Sequence, residues 1–98
     1  MTYTINGKEY KSKRFDFAAL VKFEECGINM SDLQNLKNLA KPLTLIVAVC
    51  AWVMDCDKET ATKEINSHIE NGGSLEDCTK ILESLKDSDF FQKAMKQN

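Results

Sequence analysis

Residues 42–54 read Pro-Leu-Thr-Leu-Ile-Val-Ala-Val-Cys-Ala-Trp-Val-Met, the most apolar stretch of this 98-residue chain, and their reading decides the fold. Pro42 suits the first turn of a helix, where its missing N–H leaves no hydrogen bond unmade. At 100° per residue, Leu43, Ile46, Val47, Cys50, Val53 and Met54 form one broad apolar face. Leu45, Val49 and Trp52 form a second, and only Thr44, Ala48, Ala51 and Asp55 make a small or polar strip. A helix apolar on nearly every side is surrounded by other elements. A bilayer crossing needs about 20 apolar residues, so this helix is too short for that role. It is expected at the centre of one small domain.

Upstream, Thr2-Tyr3-Thr4-Ile5 alternates, Asn6-Gly7 follows, and Lys8-Glu9-Tyr10-Lys11 completes a second short segment. Asn-Gly tolerates positive φ at both central turn positions, which predicts a type I′ β-hairpin over residues 1–13. Two strands are marginal alone, so the hairpin must lie on an apolar surface, expected to begin at Phe15. Asp16 is a suitable N-cap for a first helix, with Phe15 and Leu20 placed as a hydrophobic staple. Phe17, Leu20 and Phe23, with Ala19 and Cys26 at the edge, are expected inward, and Gly27 can end the helix. Ser31-Asp32-Leu33-Gln34 reads as a capping box for a short second helix with Leu33, Leu36 and Leu39 or Ala40 inward.

Downstream, Asp55 or Asp57 opens a fourth helix closed by Asn71-Gly72-Gly73, with Ala61, Ile65, His68 and Ile69 as its apolar stripe. Ser74 starts a fifth, with Leu75, Cys78, Ile81, Leu82 and Leu85 on one face. Ser88 or Asp89 caps a last one containing Phe90, Phe91, Ala94 and Met95. The expected architecture is α+β: an N-terminal β-hairpin packed on a bundle of about four to six helices, residues 15–96, in one domain.

Composition is that of an ordinary globular protein, with 43% hydrophobic and 29% charged residues and a net charge of −2. Neither half of the chain carries the density of basic charge that nucleic-acid binding usually needs. Residues 1–41 hold seven Lys or Arg against five acids, and residues 42–98 hold six against ten. The start lacks the basic and apolar regions of a secretory signal. The four scattered cysteines, Cys26, Cys50, Cys56 and Cys78, therefore read as reduced thiols in a cytosolic protein.

No residue pattern points to catalysis or a cofactor. Structural zinc sites bring ligands in close pairs, whereas the nearest cysteines here, Cys50 and Cys56, are six apart. His68, the only histidine, falls on the apolar stripe of its helix and has no local nucleophile to activate. Glu24-Glu25 and Glu76-Asp77 suit exposed faces and helix starts. Asn71-Gly72-Gly73-Ser74 lacks the lysine and spacing of a phosphate-binding loop. Lys8, Lys11, Lys13 and Arg14 could contact nucleic acid, but lysines on a short hairpin also guard against edge-to-edge pairing. The positive feature is surplus apolar surface. Leu45, Val49 and Trp52 on the central helix, and Phe90, Phe91 and Met95 near the C-terminus, are hard to bury within so short a chain. They are the candidate partner-binding residues.

The succession Thr4-Ile5-Asn6-Gly7-Lys8-Glu9-Tyr10-Lys11, then Phe15-Asp16-Phe17-Ala18-Ala19-Leu20 and Phe23-Glu24-Glu25-Cys26-Gly27-Ile28, resembles the tail assembly chaperones of long-tailed phages and prophages of Gram-positive bacteria. The apolar helix at 42–55, Asn71-Gly72-Gly73-Ser74-Leu75-Glu76-Asp77 and Asp87-Ser88-Asp89-Phe90-Phe91 continue the likeness over nearly the whole chain. The resemblance implies a non-enzymatic protein of the host bacterial cytoplasm that is absent from the mature virion. It implies binding of the tape measure protein, with tail tube subunits as a second client, and self-association into a homo-oligomer. It implies no catalytic residue; the charge balance is what disfavours nucleic acid and anionic membranes as partners, and the cysteine spacing what disfavours a metal. In that family a longer product often arises by frameshifting, and this chain would match the short form. The alternative is a small prophage-encoded DNA-binding or regulatory protein, for which Gln34, Asn35 and Lys37 are the base-reading candidates.

Overall fold

Asn6 and Gly7 take φ values of 53° and 79°, the left-handed pair that a type I′ turn requires. They join β1 (Thr2–Ile5) to β2 (Lys8–Lys11) in an antiparallel hairpin with Ile5 opposite Lys8 and Tyr3 opposite Tyr10. Strand alternation turns Tyr3 and Ile5 inward and leaves Thr2 and Thr4 exposed. Helices follow as α1 (Phe17–Glu25), α2 (Met30–Gln34), α3 (Pro42–Met54), α4 (Lys58–Glu70), α5 (Leu75–Lys86) and α6 (Asp89–Met95), with a 3-10 turn at Leu36–Asn38. The computed structural model describes residues 2–38 and 40–95, the side chains of Lys37 and Met95 lying outside that set. The fold is α+β, an N-terminal hairpin packed against six helices.

Helix α3 is central, packing against α1, α4, α5 and β2. Its position follows from composition, but its rotation corrects the sequence reading. Leu45 and Val49, expected on a surplus face, are buried, as are the small residues Ala48 and Ala51. Leu43, assigned to the main inward face, is 65% exposed. The physical reason is backbone approach: a strip of small side chains lets a neighbouring helix come close. Thr44 heads that strip and faces Gly27 at the end of α1, where a Cβ on the glycine would lie 3.7 Å from Thr44 Cγ2.

Helix α1 is turned likewise. Asp16 accepts from the Ala19 N–H as the expected cap. Ala19, Phe23 and Cys26 face the core, whereas Phe17, also expected inward, is 70% exposed. Phe15, just ahead of the helix, is buried instead. Its buried ring lies 6.3 Å from that of Phe23, in a tilted pair that closes the core before the helix begins.

The cap of α2 lies two residues earlier than the sequence suggested. Asn29, not Ser31, accepts from the Asp32 N–H, and Asp32 returns a bond to the Asn29 N–H. Leu33 is buried and Leu36 partly so; Ala40 is exposed, and Leu39 lies outside the described residues. Asp57, Ser74 and Ser88 cap the last three helices. Beyond the end of α4, Gly72 has a φ of 94°, which allows the Gly73 N–H to reach back to the His68 carbonyl.

The hairpin rests chiefly on α5, α4 and α3. Its apolar support therefore comes mainly from the C-terminal half, rather than from the segment beginning at Phe15. Long-range polar contacts join the two ends of the chain there: the Tyr3 hydroxyl meets Ser84 Oγ, and Asn6 Nδ2 donates to Glu64.

The cysteines divide by burial. Cys26, Cys50 and Cys78 are fully buried and Cys56 is partly exposed. Cys50 and Cys78 share a hydrogen bond between α3 and α5, which together with burial pushes the Cys50 thiol up. Burial also raises Cys56. A thiol reagent is expected to modify Cys56 alone in the native chain, faster as pH rises because the thiolate is the nucleophile. Mass spectrometry after alkylation should show one adduct before denaturation and four after it.

Candidate functional site

The most highly connected polar centre is His68. It sits on the inner side of α4, buried among the hairpin, the α4–α5 turn and the first turn of α5. The Asn6 backbone N–H donates to His68 Nδ1 at 2.8 Å, so this nitrogen carries no proton. The neutral ring is then the Nε2–H tautomer, and Nε2 donates to Asp77 Oδ2 at 2.8 Å. Asp77 is also the N3 residue of the α5 capping box, accepting from the Ser74 N–H. Both ring nitrogens are thus engaged in holding the hairpin turn to α4 and α5. Neither is open to a nucleophile, which a base in covalent catalysis requires.

Asp77 gives this centre a pH dependence. The hydrogen bond from His68, and then that from the Ser74 N–H, hold its carboxyl below the usual carboxylate range. A lowered folded value means stability present above the unfolded pKa, about 3.9, and lost as pH falls through the lower folded value. The urea midpoint is therefore expected to drop below about pH 4, and less steeply in Asp77→Asn. Some slope should remain, because Asp57 is also held low by its bonds from Thr60.

The residues expected to bind a partner are placed as follows. Leu45 and Val49 lie in the core, so no groove runs along Leu45, Val49 and Trp52. Trp52 is half-buried beneath Lys13, whose Nζ sits 4.0 Å from the ring centroid and donates to the Trp52 carbonyl at 3.2 Å. The indole Nε1 is buried without a hydrogen-bond partner among the described residues. Phe91 is buried, Phe90 is half-buried, and the Met95 side chain lies outside the described set. The excess apolar surface is real but elsewhere.

Two clefts carry it. One lies between α1 and α2, lined by Phe17, Leu20, Val21, Glu24, Met30 and Leu33, with Ile28 at its base. The other lies between α3, α4 and the start of α5, where Leu43, Val47, Ile69 and Leu75 meet Thr62 and Asn66. Among the described residues, Phe17, Val21, Met30, Leu43, Ile69 and Leu75 are the large apolar side chains left exposed. Sequence reasoning missed Val21 and Met30 altogether. The available signal was the adjacency of Phe17, Leu20 and Val21 at one-turn spacing, a second apolar stripe on α1 opposite Ala19 and Phe23.

The basic cluster is partly neutralised. Lys8 lies 3.8 Å from Glu64 and Lys13 lies 3.9 Å from Asp55, while Lys11 and Arg14 are exposed. Of the base-reading candidates, Gln34 and Asn35 stand at the end of the five-residue α2, and the Lys37 side chain is outside the described set. Among the described residues, no group of three or more His, Cys, Asp or Glu is placed to hold a metal ion. No described helix is long and apolar enough to cross a membrane. No family model, curated protein or solved structure matches the chain.

Proposed function

We propose that this chain is a non-enzymatic phage tail assembly chaperone that holds the tape measure protein soluble, and engages tail tube subunits, during tail assembly. Such a protein acts in the host bacterial cytoplasm, self-associates when no client is present, and is left out of the mature virion. The observation that carries the reading is the pair of apolar clefts on a small folded domain, each bordered by exposed large side chains. Scattered single apolar residues need no explanation, but contiguous patches mark interaction surfaces. A long helical client presents apolar stripes that aggregate in water, and clefts between helices are suited to cover them. The resemblance of the hairpin, first helix and later motifs to this class of chaperone supports the same reading.

Co-expression with the tape measure protein tests it. The client is expected to move into the soluble fraction and to co-purify with this chain. An unchanged soluble fraction, with no complex recovered, would end the chaperone reading.

A further inference from the structure

The α1–α2 cleft differs from the α3–α4 cleft in one respect that bears on its occupant. Its volume of about 110 Å³ suits one or two apolar side chains of a partner. That is less than the roughly 300–1,000 Å³ of a small-molecule pocket. Among the described residues, Glu24 is the only charged side chain lining it. Successive helical residues are 100° apart, so Lys22 projects to nearly the opposite side of α1. The charge of Lys22 acts there on Asp57 and Cys56. Asp32, on the facing helix, already pairs with Lys41 at 3.5 Å. Among the described residues the Glu24 carboxylate has no ion-pair partner. Among the described residues, the cleft is an apolar trough with one uncompensated negative charge on the same face of α1 as the exposed Phe17 ring.

We infer that this cleft docks an amphipathic helix of a client protein whose apolar stripe is flanked by a Lys or Arg positioned to meet Glu24. The inference rests on the chaperone reading and deepens it, by naming the surface used and the charge pattern of the segment it takes. An apolar stripe at i, i+3 or i+4, and i+7 inserts side chains between Phe17, Val21 and Met30. The basic residue then fixes register, since a mismatched acid would place two carboxylates together. Among the described residues, the α3–α4 cleft has Thr62 and Asn66 as its polar lining and no charged side chain to select a charge.

Two labelled synthetic helices test this, identical in their leucine stripe and differing by one flanking Lys or Glu. Each is titrated with the full chain and followed by fluorescence anisotropy. The Lys peptide is expected to bind about five- to tenfold more tightly at low salt. That margin should narrow as salt is added and disappear in Glu24→Gln. Phe17→Ser should weaken both peptides, whereas Leu43→Ser, in the other cleft, should weaken neither. Equal binding of the two peptides, or binding indifferent to Phe17→Ser, overturns the inference. So does a wild-type dimer that Phe17→Ser converts to monomer and that saturating Lys peptide leaves intact, because the cleft would then belong to a second copy. The two readings fail separately. A client complex that survives Phe17→Ser but is lost in Leu43→Ser sinks the cleft assignment and keeps the chaperone. No client complex, with the peptide pattern intact, does the reverse.

Discussion

Replacing Phe23 by Ala is expected to cost about 3–5 kcal/mol, whereas replacing Phe17 by Ala should change stability by no more than about 0.5 kcal/mol. The two residues stand six positions apart on one nine-residue helix, and both are phenylalanine. Phe23 is fully buried, and its ring packs on that of Phe15. Truncation there removes the transfer free energy of a whole ring and leaves a void that α3 and the loop before α1 can only partly close. Phe17 already spends most of its surface in water, so truncation forfeits little. A domain of this size has about 5–15 kcal/mol of stability in all, so Phe23→Ala should leave a visibly marginal protein. Urea unfolding of both variants measures the contrast. Equal losses would mean that α1 is rotated to bury both rings.

Gly73→Ala is the second large effect. Gly73 follows α4, and a Cβ built on it would lie 2.4 Å from His68 Nε2 and 2.5 Å from Cε1. Such distances are not tolerated, so something must move. The imidazole is the atom group in the way, and it is held at both nitrogens, by the Asn6 N–H and by Asp77. Moving it breaks one bond or both. Overpacking costs about 1–3 kcal/mol, and leaving a buried donor or acceptor unpaired costs about 1–3 kcal/mol more. The loss should be seen in thermal unfolding and, residue by residue, in the ¹⁵N signals of the His68 ring. Wild type is expected to show the Nε2–H tautomer, and Gly73→Ala a mixture. Because the Asn6 N–H is one of the partners, the hairpin amides should also exchange faster in the variant.

The hairpin and most helix limits were legible because they depend on local chemistry. Asn6-Gly7 makes a tight turn whatever surrounds it, and Asp16, Asp57, Ser74 and Ser88 cap helices through bonds spanning two or three residues. The α2 cap was misplaced since Asn29 and Ser31 both precede plausible capping partners, and only the actual path of the chain chooses between them. The exposed apolar surface was legible in kind but not in place. Apolar side chains in excess of what so short a chain can bury show in composition. Which of them remain outside does not.

By itself, then, the sequence determined that the apolar segment from Pro42 to about Asp55 forms a central helix and that a two-residue turn joins the first two strands. Tertiary structure alone decided the rotation of α1 and α3, and with it that Leu45 and Val49 are core while Phe17 and Leu43 face outward. It also decided that His68 ties the first turn of the chain to the start of α5. The physical reason is common to all of these. Hydrophobicity is non-directional, so two apolar faces of one helix are equivalent until neighbours of particular shape cover one of them. Here the neighbours chose the alanine strip of α3 and the Ala19–Phe23 side of α1.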